Sequence, residues 1–459
     1  MVQCIEVNRM VDEASFNGFH AKILVWCLLI TIIDGCDLTV TGIALPSIMQ
    51  QMGVSASTAG LMASSSLFGM MFGSIFLGAL SEKIGRRWTI SICIFLFSVF
   101  TAGAGFTGEP LSFSVLRFIA GLGIGGVMPN VIAQMTEYAP KKIRSLLTTV
   151  MYSGYAIGGV VAAVLGKVLI AEHGWQAVFI AAGPPVLLIP FVLKSMPESL
   201  SYLVARRDDR RLRAVVRRLQ PGIRLEQRLD FRVSEEDRAV GVAVARLFQE
   251  GRGMSTVIFW IAIFNGLFMV YSLSTWLTKL MAMSGYSLGS ALSFAIAMNI
   301  GAYVGGIGGG WLADKLHIKW VLVAMYALGS IFLCLMTVKV STELLYVIIG
   351  AVGACSTGAQ IVAYSYCGQF YPMPIRSTGV GVAVGVGRLG AIVAPPLIGQ
   401  IVALKLPLEQ NFLLIAAAGM LAAIALAFID HSRSASNEQG IAALKAPPPA
   451  PVVRGHASD

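Results

Sequence analysis

Gly78-Ala79-Leu80-Ser81-Glu82-Lys83-Ile84-Gly85-Arg86-Arg87-Trp88 is a short charged stretch between two long apolar ones, and the chain contains its pattern twice. Gly310-Trp311-Leu312-Ala313-Asp314-Lys315-Leu316-His317-Ile318-Lys319-Trp320 follows it at an offset of 232 residues. A second pair keeps the same offset of 232. Glu137-Tyr138-Ala139-Pro140-Lys141-Lys142-Ile143-Arg144-Ser145 matches Gln369-Phe370-Tyr371-Pro372-Met373-Pro374-Ile375-Arg376-Ser377. Two separated motifs with one spacing mark an internal duplication.

The stretches around these loops are apolar and of membrane-crossing length. A helix needs about 20 apolar residues to cross the hydrocarbon core. Twelve such spans are predicted, at 22–49, 57–80, 88–107, 111–137, 145–170, 175–196, 254–283, 287–312, 320–338, 342–371, 377–404 and 408–429. Composition agrees: 56% of the 459 residues are hydrophobic and only 13% are charged. A soluble domain is usually about a quarter charged, so lipid is the expected solvent. The 49 glycines suit close packing of membrane helices.

The expected fold is an all-α membrane protein of two pseudo-symmetric six-helix bundles. The bundles fall at 22–196 and 254–429, joined by a central loop at 197–253, with an N-terminal segment at 1–21 and a Pro-rich tail at 430–459 read as disordered. Parallel repeats of this kind place a substrate cavity between the halves near the midplane.

Sorting the short loops by charge fixes an orientation. One side holds Lys22, Lys83, Arg86, Arg87, Lys141, Lys142, Arg144, Lys315, Lys319 and Arg376, while the other holds little beyond Lys279, Lys339 and Lys405. The basic side is expected to be cytoplasmic, with both termini and the central loop. The net charge is +10, and much of the arginine sits between Arg206 and Arg252, interleaved with acids. That reads as a solvated loop rather than a nucleic-acid surface. The segment before Lys22 is polar and acidic and is no cleaved signal peptide, so the first span is expected to serve as the insertion signal.

The Gly78 to Arg87 stretch resembles the signature loop of the major facilitator superfamily, with Glu82 where that loop usually has Asp. Arg117-Phe118-Ile119-Ala120-Gly121-Leu122-Gly123-Ile124-Gly125 resembles its span-4 motif, RxxxGxGxG. Asp34-Gly35-Cys36-Asp37, Met128-Pro129-Asn130, Pro197-Glu198-Ser199, Tyr371-Pro372 through Gly379, and Gly387-Arg388-Leu389-Gly390 are similar to the aromatic acid:proton symporter family within it, and 116–144 is especially similar to bacterial benzoate transporters. The resemblance implies a multi-pass protein of a bacterial inner membrane, a monomer, that takes up benzoate or a hydroxybenzoate with protons by alternating access. In that family the two acids of the Asp-Gly-x-Asp motif are implicated in transport.

Ionisable groups inside apolar helices are costly and mark function by default. Counting at 1.5 Å per residue, Asp34 and Arg388 each lie about 18 Å in from the basic side, and Asp37 about 4.5 Å further. Arg117 enters from the other side, about 9 Å deep. Shifting by 232 puts Gly266, Met269 and Ile349 opposite Asp34, Asp37 and Arg117, and Ala156 opposite Arg388. The loops are duplicated and the buried charges are not, which favours a functional role over a scaffold one. Asp34, Asp37 and Arg117 are candidates for proton coupling. A desolvated carboxylate holds its proton more tightly and a nearby arginine loosens it. Asp37 and Arg117 also admit a purely structural reading as an ion pair.

Arg388 can hold a carboxylate in two parallel bonds, so it is expected to bind substrate; the competing reading makes it a fixed counter-charge for Asp34. Further substrate-contact candidates are Asn130, Gln134, Tyr152, Tyr155, Trp276, Asn299, Tyr303, Gln360 and Tyr364. Gly78, Glu82, Lys83, Gly85, Arg86, Arg87, Glu137, Arg144, Asp314 and Arg376 are expected to form a gate at the cytoplasmic surface. An aliphatic diacid such as muconate as cargo, drug export, and a benzoate sensor without flux remain open alternatives. No enzyme is expected: the five histidines sit at loops or ends and the seven cysteines show no metal spacing, so no cofactor or metal is implied.

Overall fold

The computed structural model describes residues 3–219, 229–232, 244–249, 251–338 and 340–434. The tail expected to be disordered lies, beyond Ser434, outside the described residues. Among the described residues, eleven helices are long and apolar enough to cross a membrane. They are span 1 (Gly18–Met52), span 2 (Ala56–Ile84), span 3 (Arg86–Ala104), span 4 (Pro110–Tyr138), span 5 (within Arg144–Ile180), span 7 (Gly253–Met283), span 8 (Leu288–Lys315), span 9 (Ile318–Leu335), span 10 (Thr342–Phe370), span 11 (Met373–Ala403) and span 12 (Leu408–Ala427).

Span 6 is broken. The helix from span 5 continues past Gly174, whose φ of 76° turns the chain back. The return crossing then runs through 175–180, a turn, the 3-10 helix Pro184–Leu188 and the helix Ile189–Ser195. Pro184, Pro185 and Pro190 explain the interruption, since proline lacks an N–H and clashes with the preceding turn. Counting span 6, the chain crosses twelve times.

The duplication read from two loops extends to backbone contacts. Gly69 lies against the carbonyl of Phe118 and Gly301 against that of Gly350. Gly121 meets the carbonyl of Ser66 and Gly353 that of Met298; Gly158 meets that of Ile32 and Gly390 that of Phe264. Arg144 Nε donates to the Ala139 carbonyl at 3.1 Å and Arg376 Nε to that of Tyr371 at 3.3 Å. Spans 2 and 8 start on the N-caps Ser55 and Ser287. All these pairs are related by the offset of 232. Helices in lipid associate through van der Waals contact rather than hydrophobic burial, so glycines that let backbones touch set the interface. Gly69 and Gly73 on span 2 face Gly121 and Gly125 on span 4, and each would drive a Cβ into a facing backbone. In the second half the equivalent seam contains a π turn, Ala354–Gly358, within span 10. Residue 357 is a threonine, and Gly358 is the residue that meets Gly305.

Between the halves, contacts concentrate away from the basic loops. Gly42 meets Ser274, Gly60 meets Pro395 and Gly399 meets Ala56. Ser64 Oγ donates to the Ile392 carbonyl at 2.7 Å and Lys167 to Ser293 at 3.1 Å. The halves are thus closed against each other on the face opposite the basic one.

On the basic face, outside the all-α membrane bundles, Gln3–Glu6 pairs in parallel with Leu229–Arg232. Such short strands outside the spans leave no hydropathy signal. One correction concerns the central segment, which is not solvated all round. Asp209–Leu219 is an amphipathic helix that buries Leu212, Val215, Val216 and Leu219 in the first half's core. Asn17 Nδ2, at the head of span 1, donates to the carbonyls of Arg218 and Leu219 at 3.1 Å each, tying down that helix end.

Gly121→Leu is expected to destabilise the first half by about 1–3 kcal/mol or more, because a backbone carbonyl cannot step aside. Gly78→Ala, in open space, is expected to leave stability unchanged or raise it by up to about 1 kcal/mol through helix propensity. Thermal unfolding of purified protein in detergent compares the two.

Candidate functional site

Asp34 and Asp37 are both buried on span 1 but go to different surroundings. Asp37 faces Arg117 on span 4, whose Nη1 lies 3.2 Å from both carboxylate oxygens. Arg117 Nη1 also lies 2.6 Å from Thr101 Oγ1 on span 3, its Nη2 donates to the Asp37 carbonyl at 3.2 Å, and its guanidinium sits 5.7 Å from the Phe179 ring. This is a closed pair within the first half: both charges are buried, and Arg117 is bonded to Thr101 as well. Asp34 is different. Neither of its carboxylate oxygens has a hydrogen-bond partner. The charges that act on it are Asp37 and Arg388. Gly35 beside it lets span 5 approach so closely that the Tyr155 backbone occupies the place of a Cβ.

Arg388 comes from span 11 in the other half and is half-buried. Its Nη1 donates to the carbonyl of Met70 on span 2 at 3.2 Å, across the boundary between halves. It lines a small cavity with Leu67, Met70, Leu267, Tyr271, Tyr364, Val384 and Ala391. These residues come from spans 2, 7, 10 and 11, so the cavity lies between the halves. Tyr271 and Tyr155 lie near each other, and both lie within electrostatic reach of Asp34 and Arg388. Tyr364 faces Gln360 and lies near Tyr152. Gln360 is 4% exposed and accepts from Tyr326 Oη at 2.8 Å. Its position over Gly266 is informative, because Gly266 is the repeat counterpart of Asp34. The second half puts a neutral amide and phenol where the first half keeps a carboxylate.

Of the residues expected from sequence, the structure therefore gathers Asp34, Arg388, Tyr155, Gln360 and Tyr364. Asn299 donates to the Ala295 carbonyl of its own helix at 2.9 Å and packs on Gly159 across the boundary. Tyr152 and Tyr303, on spans 5 and 8, are 38% and 42% exposed. Asn130 is buried and donates to the Gly126 carbonyl at 2.8 Å. Gln134 ties span 4 to the Pro197 carbonyl at 2.8 Å, and the fully buried Trp276 gives its N–H to the Pro395 carbonyl at 2.9 Å. Those last two hold helices together and do not line the cavity. Tyr271 and the Met70 carbonyl were not foreseen. A tyrosine in mid-span carries no motif, and a backbone carbonyl carries no side-chain signal at all.

On the basic face the expected gate residues of the first half make their contacts inside that half. Arg86 pairs with Glu137, which also accepts from Ser199 Oγ and from the Ser201 amide and hydroxyl. Gly85, at φ 93°, leaves room for the Glu198 carboxylate, which accepts from the Arg87 amide at 3.1 Å. Arg144 pairs with Asp12 at 2.5 Å. The Lys83 carbonyl accepts from Arg206 at 3.1 Å. Glu82 and Asp314 are exposed, Arg376 bonds its own helix start, and Gly78 stands in open space. Among the described residues, no group of three or more metal-ligating side chains occurs.

The family profile described as Major Facilitator Superfamily matches residues 27–317 and 300–456. The chain belongs to the major facilitator superfamily. Curated relatives of this superfamily member include a benzoate transport protein of Acinetobacter baylyi, 41% identical over 94% of this chain and 93% of that one. A gallate transporter of Pseudomonas putida is 32% identical over 94% of this chain and 96% of its own. The 4-hydroxybenzoate transporter PcaK of Pseudomonas aeruginosa is 31% identical over 85% and 88%. Among solved structures, a partially occluded inward open conformation of the xylose transporter XylE from E. coli matches with a TM-score of 0.70 at 17% identity, covering 89% of this chain and 97% of that one. It shares the major facilitator fold. Membership agrees with the reading that the chain transports and is not an enzyme.

Removing one partner of the Asp37–Arg117 pair leaves the other charge buried alone. Asp37→Leu or Arg117→Met is expected to cost about 3–5 kcal/mol, and the double replacement Asp37→Leu with Arg117→Met much less than the two together. Unfolding temperatures of the four proteins measure this coupling.

Proposed function

We propose that this chain takes up an aromatic carboxylate, benzoate or a hydroxybenzoate, with protons, across a bacterial inner membrane by alternating access, its termini and central segment in the cytoplasm. One observation carries the reading. A cavity between the halves has a single cationic side chain, Arg388, on walls that are otherwise apolar or phenolic, and the buried Asp34, without a hydrogen bond, stands within its field. That chemistry suits a flat apolar ring bearing one carboxylate. The names of the relatives, carriers of benzoate, gallate and 4-hydroxybenzoate, support the same substrate class.

In the proposed cycle Asp34 carries the proton. Substrate carboxylate takes the Arg388 guanidinium from the Met70 carbonyl, and removal of that cation from Asp34 favours its protonated form. With charge balanced on both, the halves can rock and expose the cavity to the other side. A diacid such as muconate wants a second cation in the cavity. Arg117 does not offer one, being spent on Asp37 and Thr101.

Purified protein in liposomes is expected to accumulate labelled benzoate under an inward pH gradient. Asp34→Asn should abolish gradient-driven accumulation while retaining benzoate exchange; accumulation equal to wild type sinks the assigned proton site. Arg388→Gln should weaken benzoate binding roughly ten- to hundredfold, the value of charge-assisted hydrogen bonds.

A further inference from the structure

The segment that follows span 12 docks on the basic face as the counterpart of the segment that follows span 6. Shifting by 232 carries Gly85, Arg87 and Gln134 to His317, Lys319 and Tyr366, and Pro197-Glu198-Ser199 to Ile429-Asp430-His431. The docking is repeated as well. In the first half Gln134 donates to the Pro197 carbonyl at 2.8 Å, while the Glu198 carboxylate lies against Gly85 and accepts from the Arg87 amide. In the second half Lys319 Nζ donates to the Ile429 carbonyl at 2.8 Å, and Tyr366 Oη lies 3.2 Å from His431 Nδ1. What differs is the group set against the loop. Where the first half puts a carboxylate on a glycine, the second puts the His431 ring edge-on to the ring of His317, with centroids 4.4 Å apart.

A proton added to this pair costs more than one added to an isolated histidine. Two imidazolium rings in contact repel, and Lys319 adds a cation on the same backbone. Asp430, the acid beside them, is already engaged: it pairs with Arg433 at 3.0 Å and accepts from the Ser432 amide at 3.1 Å. Of the charges flanking His317, Lys315 lies over the Trp311 ring and Asp314 is exposed. Burial, then His317, then Lys319 hold the His431 ring below the ordinary histidine range, against the pull of Asp430. A ring that resists protonation when docked is docked most firmly when neutral. Docking is therefore at full strength above a pH of about 6.5, the ordinary histidine value, and weakens as pH falls below it. The same segment joins helix ends. Arg433 Nη1 donates to the Gly251 carbonyl just before span 7, Lys319 lies at the start of span 9 and Tyr366 near the end of span 10.

We propose that His317 and His431 form a proton-sensitive clasp on the second half, closed while both rings are neutral and opened by acid on the basic face. Opening releases the joined ends of spans 7, 9, 10 and 12 and slows transport. The consequence for transport rests on the proposed proton-coupled uptake, in which every cycle delivers a proton to that same face. The clasp then restrains the carrier as the acid it brings in accumulates.

Hydrogen–deuterium exchange on the purified full chain reads the clasp without any cargo. Protection of residues 429–433, normalised to the intrinsic exchange rate at each pH, is expected to hold level above a pH of about 7. Below a pH of about 6.5 it should fall by up to about tenfold per pH unit, the slope of a single proton. His431→Gln, which stays polar and cannot titrate, should be level throughout. His431→Arg, a fixed cation, should be poorly protected throughout, and His317→Gln should shrink the fall. Thermal unfolding in detergent checks that each variant is folded. Level protection in wild type overturns the proposal, as does an acid-dependent fall that persists unchanged in either glutamine variant. An equal fall at residues 198–203, where the first half docks through a carboxylate, also overturns it. Benzoate counterflow in liposomes with equal pH on both sides reads the consequence. Wild type is expected to lose rate relative to His431→Gln as that pH falls from about 7.5 to about 6, and a constant ratio overturns the restraint on transport. Failure of wild type to move benzoate at all strikes instead at the cargo assignment and leaves the protection result standing.

Discussion

A charge among apolar helices has no water to fall back on, so the protein must supply its partners, and the interior of this molecule is organised around that requirement. The Asp37–Arg117 pair meets it with each other's charge, Thr101 and the Asp37 carbonyl. Asp34, one turn earlier on the same helix, does not. The contrast divides two carboxylates of one motif into a closed structural pair and an open position at the boundary between halves. In the proposed mechanism only the open one can change its charge cheaply, because only its compensation depends on groups from the moving half.

That division would be useless if the halves were soft. The glycine seams give them stiffness. Backbone carbonyls pressed against glycines on spans 2 and 4, repeated on spans 8 and 10, leave little freedom to slide. The duplication is nearly exact at these seams and absent at the charges, so the frame is symmetric while the chemistry is not. The π turn in span 10 is where the frame departs from symmetry, and it lies just before Gln360 and Tyr364. π turns often occur at functional sites because they re-aim the residues that follow. The outcome here is a neutral amide over Gly266 in the half that also presents Arg388.

On the basic face, Glu137 and Glu198 gather Arg86, Arg87 and the segment after span 6 into one network within the first half. The amphipathic helix Asp209–Leu219 and the segment before span 1 pack onto the same half. The halves meet on the opposite face. In this state the charged loops brace one bundle, and contact between bundles includes glycine, serine and proline backbones near the far end.

Hydropathy and a repeated offset are properties of the linear chain, so the sequence alone determined the spans, the two halves and which buried charges lack a counterpart. It also set the depth of Asp34, Asp37, Arg117 and Arg388, because rise per residue is fixed along a helix. What depth does not give is the direction a side chain faces, which depends on the neighbouring helix. Only the tertiary structure decided that Asp37 is closed off while Asp34 is open, that Trp276 and Gln134 are tied to carbonyls, and that Tyr271 stands beside Arg388. It alone revealed span 6 as a broken helix, since consecutive short helices and one long one share the same apolar composition. The physical reason is common to all these cases: composition records the cost of placing a group in oil, and packing records who meets it there.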